Sequence, residues 1–453
     1  MQRAHNDTFL LPIATTLALA LVASGCGRAA EDTETVTVVY RVEGASDAID
    51  DLFKQVKEDF EAENPDVTVG LNPIEAPAED YQTQVNLMNQ SASEAPDIIY
   101  EDSFTINQDV ESGYLASLDD YWAEWTDAEQ YNAQADAAVT ALDGKRYGVL
   151  LGTDVRGLWY NTELFDAAGI DTPWTPESWD EVLETARTID SELGEDVTPL
   201  NVYSGTPAGE GASMQGFQML LSGTDDALFD EESERWRTDA QGFEDSLEFV
   251  QTIYDEGLAL DERDALNSNV ATLNNEARIP AEQLAITLDG SWITEAWIES
   301  GNQPWPEWRD TMEFTGMPTQ DGQDPGLTSM SGGWTLALNA KSENPDLVWE
   351  VMAHALNKEN ATKFAIEAAQ IPVRKDVVSS EEFQTKDPNP ELATDLVDVT
   401  HFRPAYADYP RISIAIQEAM ESVMLGDATP VEATQTYAQE VEDIVGADNV
   451  TDR

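Results

Sequence analysis

Cysteine is nearly absent from this chain, Cys26 being the only one. That rules out an internal disulfide or a multi-cysteine metal site, since each needs at least two thiols. Histidine is scarce as well, and His354 and His401 are the only two beyond the first five residues. There is no His-Glu-x-x-His zinc pair, no phosphate loop ending in Gly-Lys-Ser/Thr, no G-x-S-x-G elbow and no complete calcium loop, so metal, nucleotide and triad chemistry lose support and no cofactor is expected. Both histidines fall in or beside helical segments, where a structural role is the ordinary one. Basic residues are few: 23 Lys and Arg against 89 Asp and Glu leave a formal net charge of −66. The densest basic runs are Lys145-Arg146 and Arg374-Lys375, too short to neutralise a phosphate backbone or an anionic lipid surface, so nucleic acid and direct lipid recognition are excluded. Paired carboxylates of the kind used in glycoside hydrolysis carry no information here, because 89 acids supply every spacing by chance.

Long hydrophobic runs are also missing after the first one, over residues 9–23. About 15 residues at 1.5 Å each fall short of the roughly 30 Å hydrocarbon layer, and with Arg3 and His5 in front the segment reads as a signal peptide over residues 1–25. Cys26 follows Leu21-Val22-Ala23-Ser24-Gly25, which resembles a bacterial lipobox with Ala23 in place of the usual leucine. In such signals the cysteine is acylated and becomes the mature first residue, so the resemblance implies an exported protein anchored to the outer face of the membrane through Cys26. Residues 26–34, with Glu31, Asp32 and Glu34, make a short tether.

What remains is enough to fold. Apolar residues make up 41% of the chain and 12 tryptophans are present, far from the composition of a disordered polymer. A chain of 453 residues exceeds the roughly 250–300 at which a single core stops growing, so two lobes are expected. Residues 35–43 read as a strand. Apolar positions Leu52, Phe53, Val56 and Phe60 then recur at helical spacing until Asn64-Pro65, and Val67-Thr68-Val69 is strand-like again: a β-α-β unit. Helix over 81–89, strand over 96–100 and helix over 106–115 continue the alternation. It resumes with a strand at 158–160, helices at 179–192 and 243–255 and a strand at 284–288. Past residue 341 the signals are helical, over 346–357, 361–369, 412–425 and 430–445. Alternation of this kind predicts an α/β class with mostly parallel sheets.

Several segments, in this order, resemble bacterial extracellular solute-binding proteins of family 1, the maltose/trehalose-binding-like group that serves sugar-import ABC transporters. They are Phe60-Glu-Ala-Glu-Asn-Pro-Asp-Val-Thr-Val69, Ala95-Pro-Asp-Ile-Ile-Tyr100 running on to Ser112-Gly-Tyr-Leu115, and Asp143-Gly-Lys-Arg-Tyr-Gly148 leading to Leu158-Trp-Tyr-Asn-Thr-Glu-Leu-Phe165. Trp174-Thr-Pro-Glu-Ser-Trp-Asp180, Leu288-Asp-Gly-Ser-Trp292, Ser331-Gly-Gly-Trp334 and Ile371-Pro-Val-Arg374 follow. The resemblance implies a two-lobed fold of the periplasmic binding type (type II), each lobe a mixed, mostly parallel sheet flanked by helices, with the ligand in the cleft between them. The expected division puts residues 35–152 and 312–353 in lobe 1 and residues 153–311 and 354–453 in lobe 2.

Groups that touch ligand in open α/β sheets collect at the carboxyl ends of strands, and sugars ask for planar hydrogen-bonding groups and aromatic faces. Glu43 and Asp47 flank the loop after the first strand, and Glu101 and Asp102 follow the strand that ends at Tyr100; all four can accept from hydroxyls, although Asp47 can equally cap the next helix and acids in this composition are commonly solvated. Asp154 and Arg156 precede the Leu158-Trp-Tyr strand, where the resemblance implies a cleft carboxylate at Asp154; an ordinary ion pair is the rival for Arg156. The resemblance likewise implies that Trp292 stacks on ligand, against the alternative of a core tryptophan. Gly333 would let a ligand approach the backbone, and Trp334 either lines the cleft or packs inward. Arg403 and Tyr409 belong to a stretch that the resemblance brings back to the cleft, Arg403 being able to fork onto two hydroxyls. Arg374 reads as a structural ion-pair partner, and Trp305 and Trp308, beside Pro304 and Pro306, as a surface or hinge loop without ligand.

The function expected is therefore capture of a sugar without catalysis by a monomer that delivers it to permease subunits. A peptide, polyamine or anion in the same fold and a secreted carbohydrate-active enzyme are the alternatives; a carboxylate-rich cleft argues against the anion. So large an acidic excess repels itself in dilute buffer, and about 1 M salt shortens the Debye length to about 3 Å, which marks a salt-adapted surface. The melting temperature should rise steadily as salt is added from low to molar concentration; a melting point indifferent to salt would overturn this reading.

Overall fold

β1 (Glu34–Val42) opens the chain's first sheet, and Val38, Val39 and Tyr40 are buried in succession, as a strand covered on both faces requires. The helix Ala48–Glu63 lays Leu52, Phe53, Val56 and Phe60 onto it and ends at Asn64, before Pro65. β2 (Val67–Glu75) then returns parallel to β1, with Val36 opposite Val69. β3 (Ile98–Asp102) lies parallel on the other side of β1. The sheet is completed from far along the chain: β13 (Trp334–Leu338) runs antiparallel to β3, and β4 (Gly148–Leu150) antiparallel to β13, giving the order β2-β1-β3-β13-β4. The computed structural model describes residues 34–42, 46–238, 240–386, 396 and 399–451. The expected signal peptide, Cys26, the tether up to residue 33 and Glu43 lie outside the described residues.

The second sheet has the order β10-β5-β9-β6, from β5 (Arg156–Asn161), β6 (Thr198–Asn201), β9 (Leu284–Gly290) and β10 (Met312–Thr315). β6 and β9 are parallel and the other two pairings antiparallel. Every residue of β5 and β9 is buried, since helices cover both faces. Two small sheets complete the fold. One joins β11 (Met317–Pro318), β12 (Leu327–Met330) and β14 (Thr400–His401); the other joins β7 (Phe229–Asp230), β8 (Arg235–Arg237) and β15 (Val450–Thr451).

Two hydrophobic cores answer to the two large sheets. One gathers Val38, Phe53, Ile98 and Leu336, and the other Leu158, Ile286, Phe217 and Ile416. Their membership bears on where the lobes divide. Met312–Thr315, at the start of the 312–353 stretch, pairs with β5 in the second sheet, whereas Phe364, Ala368 and Val373, from the 354–453 stretch, pack into the first core. The carboxyl-terminal helices Tyr409–Met424 and Pro430–Val445 pack on the second core, the latter begun by a reciprocal capping box between Thr429 and Glu432. Trp308 is buried, with its ring 5.8 Å from that of Trp297, and Trp305 leans on the same cluster, so the 304–308 segment is anchored in a satellite core instead of lying loose as a surface loop. The turn before Gln218 is a widened helix over Gly211–Gln218 that the sequence pattern does not reveal.

Successive strand residues face opposite ways, and at the end of β3 this separates two acids. Asp102 looks towards the second lobe. Glu101 turns into the first, wholly buried, where it accepts from Thr105 Oγ1 and meets Asp109 of the helix Ile106–Glu111. Burial, and then the Asp109 charge, push the Glu101 carboxyl well above the ordinary carboxylate range. Glu101 Oε2 and Asp109 Oδ1 have no hydrogen-bond partner among the described residues, a lack that one proton shared between the two carboxyls would satisfy. A carboxyl whose folded pKa is raised stabilises below its unfolded pKa and loses that contribution as pH rises towards the folded value. Glu101→Gln keeps a neutral donor facing Asp109 and should remove a loss of up to about 1.4 kcal/mol per pH unit above about pH 4.3. Urea denaturation at pH 5 and pH 8 measures it. A stability difference between Glu101→Gln and the parent that does not change with pH overturns the shared proton.

Candidate functional site

The three crossings between the sheets lie against one another, and glycine lets them. Gly333 has φ +153°, and a Cβ there would sit 2.6 Å from the Gly152 carbonyl oxygen. The expected close approach is thus to the chain's own crossing backbone. Thr153 Oγ1 donates to the Gly332 carbonyl at 2.8 Å, and Thr153 pairs with Ile371 across the third crossing. At this node the side chains of 154 and 156 lie buried against each other.

Asp154 and Arg156 form a buried ion pair, and Asp154 also accepts the Gly332 amide at 2.9 Å. Arg156 Nη1 donates to the Met330 carbonyl at 3.1 Å. Its guanidinium lies over the Trp292 ring, 4.6 Å from the centroid, and its Nε has no partner among the described residues. Burial pulls the Arg156 pKa down against the opposing pull of Asp154. Trp292 is half-buried at the turn after β9, and Gly290 makes the room: a Cβ there would fall 1.8 Å from the indole. Beneath the ring, Asp289 accepts from Tyr203 Oη at 2.7 Å and from the Gly290 amide at 2.7 Å, and burial raises its pKa to about 6.

Arg403 stands on the other side of Gly332, whose Cβ would lie 3.4 Å from Arg403 Nη2. One branch donates to Asp102 at 2.8 Å and the other to Glu210 at 3.1 Å, with the Phe104 ring centroid 4.0 Å from the guanidinium carbon. Burial would lower the Arg403 pKa, but the two carboxylates more than reverse this and it rises. Burial holds Asp102 above its ordinary value despite Arg403. Tyr409 Oη donates to Glu210 at 3.1 Å and accepts from Gln218 at 2.8 Å, and Ser413 binds the other Glu210 oxygen. A second tie between the lobes is the hydrogen bond from Ser46, after β1, to Glu295, after β9; burial raises Glu295 to about 7.

The structure therefore brings Asp102, Asp154, Arg156, Trp292, Gly333, Arg403 and Tyr409 to one place, and leaves three expected residues elsewhere. Glu101 is turned into the first core by strand alternation. Asp47 is exposed at the start of the helix Ala48–Glu63, with no side-chain capping bond. Trp334 stacks on Tyr100 at 4.7 Å with Arg41 over its outer face, half-buried against the wall of the first lobe. Arg374 is taken up by Asp127, Asp376 and the Leu356 carbonyl. Sequence reasoning missed Glu210, Glu295, Phe104 and Tyr203. Glu210, between Gly209 and Gly211, differs from the other acids by nothing short of its place in space. Among the described residues no group of three His, Cys, Asp or Glu can hold a metal.

Buried, mutually paired charges lie here beside a half-buried tryptophan. Residues 45–362 match the family described as bacterial extracellular solute-binding protein. A binding protein of Brucella abortus (strain 2308) is 30% identical over 143 residues, which is 32% of this chain and 33% of that protein. A lactose-binding protein of Rhizobium radiobacter is 24% identical over 34% of this chain and 36% of its own length. The melibiose/raffinose/stachyose-binding protein MelE of Bacillus subtilis (strain 168) is 26% identical over 43% and 42%. The match thus spans about a third of the length of the first of these relatives. Among solved structures, the GacH receptor of Streptomyces glaucescens, determined unliganded and with acarbose, superposes with a TM-score of 0.76 at 21% identity, covering 92% of this chain and 99% of that one. A solute-binding protein from Thermotoga lettingae bound with α-D-tagatose gives 0.77 at 22%, covering 91% and 100%. The two-lobed α/β architecture is shared throughout, and with the greater part of its length matching the family, whose part is to bind solutes and not to transform them, the chain belongs to the bacterial extracellular solute-binding proteins.

Proposed function

We propose that the chain captures a sugar between its lobes and hands it to the permease of an ABC importer, held at the outer membrane face by an acylated Cys26. The observation that carries this is the Arg156 guanidinium stacked on Trp292, with Nε left without a partner beside a carboxylate already satisfied by that same arginine. An indole offers its face to the apolar side of a pyranose, while a fixed donor fork and acceptors at its rim meet hydroxyls. Lactose and melibiose, raffinose and stachyose are named as the ligands of two relatives, and maltose is bound in a structure of Thermotoga maritima MalE3 that shares the fold.

In this reading the lobes divide near residues 152, 333 and 374, where the crossing segments meet. Arg403 between Asp102 and Glu210, and Ser46 on Glu295, are contacts of the closed form. A ligand that prefers this form by a few kcal/mol suffices to make it dominant, which a handful of buried hydrogen bonds supplies.

A thermal-shift screen with mono-, di- and oligosaccharides, a dipeptide and a polyamine tests the assignment, and sugars alone should raise the melting temperature. For the sugar found, Trp292→Ala should weaken binding by about 1–3 kcal/mol, the range measured for aromatic stacking on bases, and ligand should change tryptophan fluorescence in the parent. Chromatography of the incubated sugar should show it unaltered. Binding that is indifferent to Trp292→Ala, stabilisation by the polyamine or dipeptide instead, or turnover of the sugar overturns the proposal.

A further inference from the structure

Residues 400–406 lead from the crossing segments to the helix Tyr409–Met424, and the two lobes hold them differently. Thr400 and His401 pair with Ser329 and Met330 of β12, so the segment sets out beside the crossing at Gly332 and Gly333. Tyr406 then packs on the second lobe. Its ring lies 4.0 Å from that of Phe229, its hydroxyl donates to Glu231 at 3.2 Å and its carbonyl accepts the Tyr409 amide at 2.9 Å. Close ring packing and a continuous backbone thus tie this end to the second core.

Towards the first lobe the packing is broken. A hollow of about 150 Å³ is lined from the segment by Phe402, Arg403 and Ala405 and from the first lobe by Ile106, Ala138 and Thr140. Unfilled space forfeits the dispersion contacts that close packing supplies, so adhesion on this side falls to polar ties. Such ties come from Arg403, which donates to Asp102, and from Asn107, whose Nδ2 donates to the Ala405 carbonyl. Asn107 is set for this by its own lobe. It is buried, and its Oδ1 accepts the Leu142 amide at 2.8 Å. A side-chain amide carries its acceptor and its donors on separate branches, so with the oxygen taken by Leu142 the nitrogen is left facing the Ala405 carbonyl.

We infer that residues 400–406 are a strap carried by the second lobe and latched to the first by Asn107, and that this latch holds the lobes together. The two ties differ in kind. Arg403 balances charge among buried groups, and parting it from Asp102 leaves ions without partners. The Asn107 bond is neutral, and breaking it frees one amide branch and one carbonyl beside a hollow with room for the water that replaces them. A neutral bond beside such a space opens at small cost, which is what a reversible latch requires. This inference rests on the lobe closure proposed above and adds the element that fastens it.

Asn107→Asp tests the latch, since it keeps an acceptor for Leu142 and sets an oxygen against the Ala405 carbonyl. In the full chain, hydrogen exchange read by mass spectrometry should show the amides of residues 400–406 exchanging about fivefold faster than in the parent, the factor that one net hydrogen bond is worth, with β1 and β9 unchanged. Small-angle scattering should show a larger radius of gyration. Asn107→Ala, which gives up the Leu142 bond as well, should move both readings the same way. Parent values of exchange or of radius in these two variants overturn the latch, and so does faster exchange spread equally through β1 and β9. Arg403→Gln, or Asp102→Asn should that variant not fold, separates the latch from the closure reading. Expansion there without expansion in the Asn107 variants removes the latch and keeps closure, whereas no expansion in any variant removes both.

Discussion

One guanidinium holds the lobes in register. Arg403 comes from a connecting segment that belongs to neither large sheet, and it satisfies Asp102 at the end of β3 together with Glu210 against the second core. All three side chains are mostly buried, at 6%, 14% and 17% exposure, so the charges interact through little water. Removing one partner from such a buried group typically costs about 3–5 kcal/mol, because the others stay desolvated and unpaired. Under the proposed closure, the closed and open forms differ by more than contact area. Opening must either carry Arg403 with one lobe and leave a carboxylate behind or let water reach all three, and a polar guest that completes the hydrogen bonding tips that balance.

The node beneath makes the arrangement possible. At Gly152 and Gly333 the crossing strands touch through backbone, so a rotation between the lobes, where it occurs, would concentrate in a few residues. The same node aims Asp154 and Arg156: the Arg156 amide and carbonyl are both engaged by Ser329 Oγ, at 3.0 and 2.9 Å, which fixes the strand from which the guanidinium reaches Trp292. On the proposed reading, hinge and binding face are one piece of covalent structure.

Much of this was legible beforehand. The β-α-β start, the helix over 430–445 and the strands near 98 and 158 announced themselves through apolar spacing and Asn64-Pro65, all of them local signals. Asp154, Trp292 and Arg403 were reached through ordered segments resembling a family, not through periodicity. What escaped depends on contacts distant in sequence. β13 enters the first sheet more than 180 residues after β4, and nothing near Trp334 says which strand it joins. Glu210 gains its role only when Arg403, Tyr409 and Ser413 converge on it from about 200 residues away. Glu101 was misplaced by a single step of strand alternation, the least visible quantity when a strand's end is uncertain by one residue.

The acidic excess and the cleft obey opposite rules. On the surface, unpaired carboxylates are solvated, and their mutual repulsion falls with salt. In the cleft, water is scarce and each acid has an assigned donor: Asp154 has Arg156 and the Gly332 amide, Asp102 has Arg403, Asp289 has Tyr203 and the Gly290 amide, and Glu295 has Ser46. On the sugar reading, a neutral guest adds hydrogen bonds at their remaining lone pairs and leaves the balanced pairs undisturbed. A chain with so few cations has set two of its arginines, Arg156 and Arg403, where they cancel acids between the sheets, and the result is a polar but compensated interior within a strongly anionic shell. That segregation lets the outer charge answer to salt while leaving the recognition chemistry largely insulated from it, since paired charges at hydrogen-bond distance are screened far less than solvated ones.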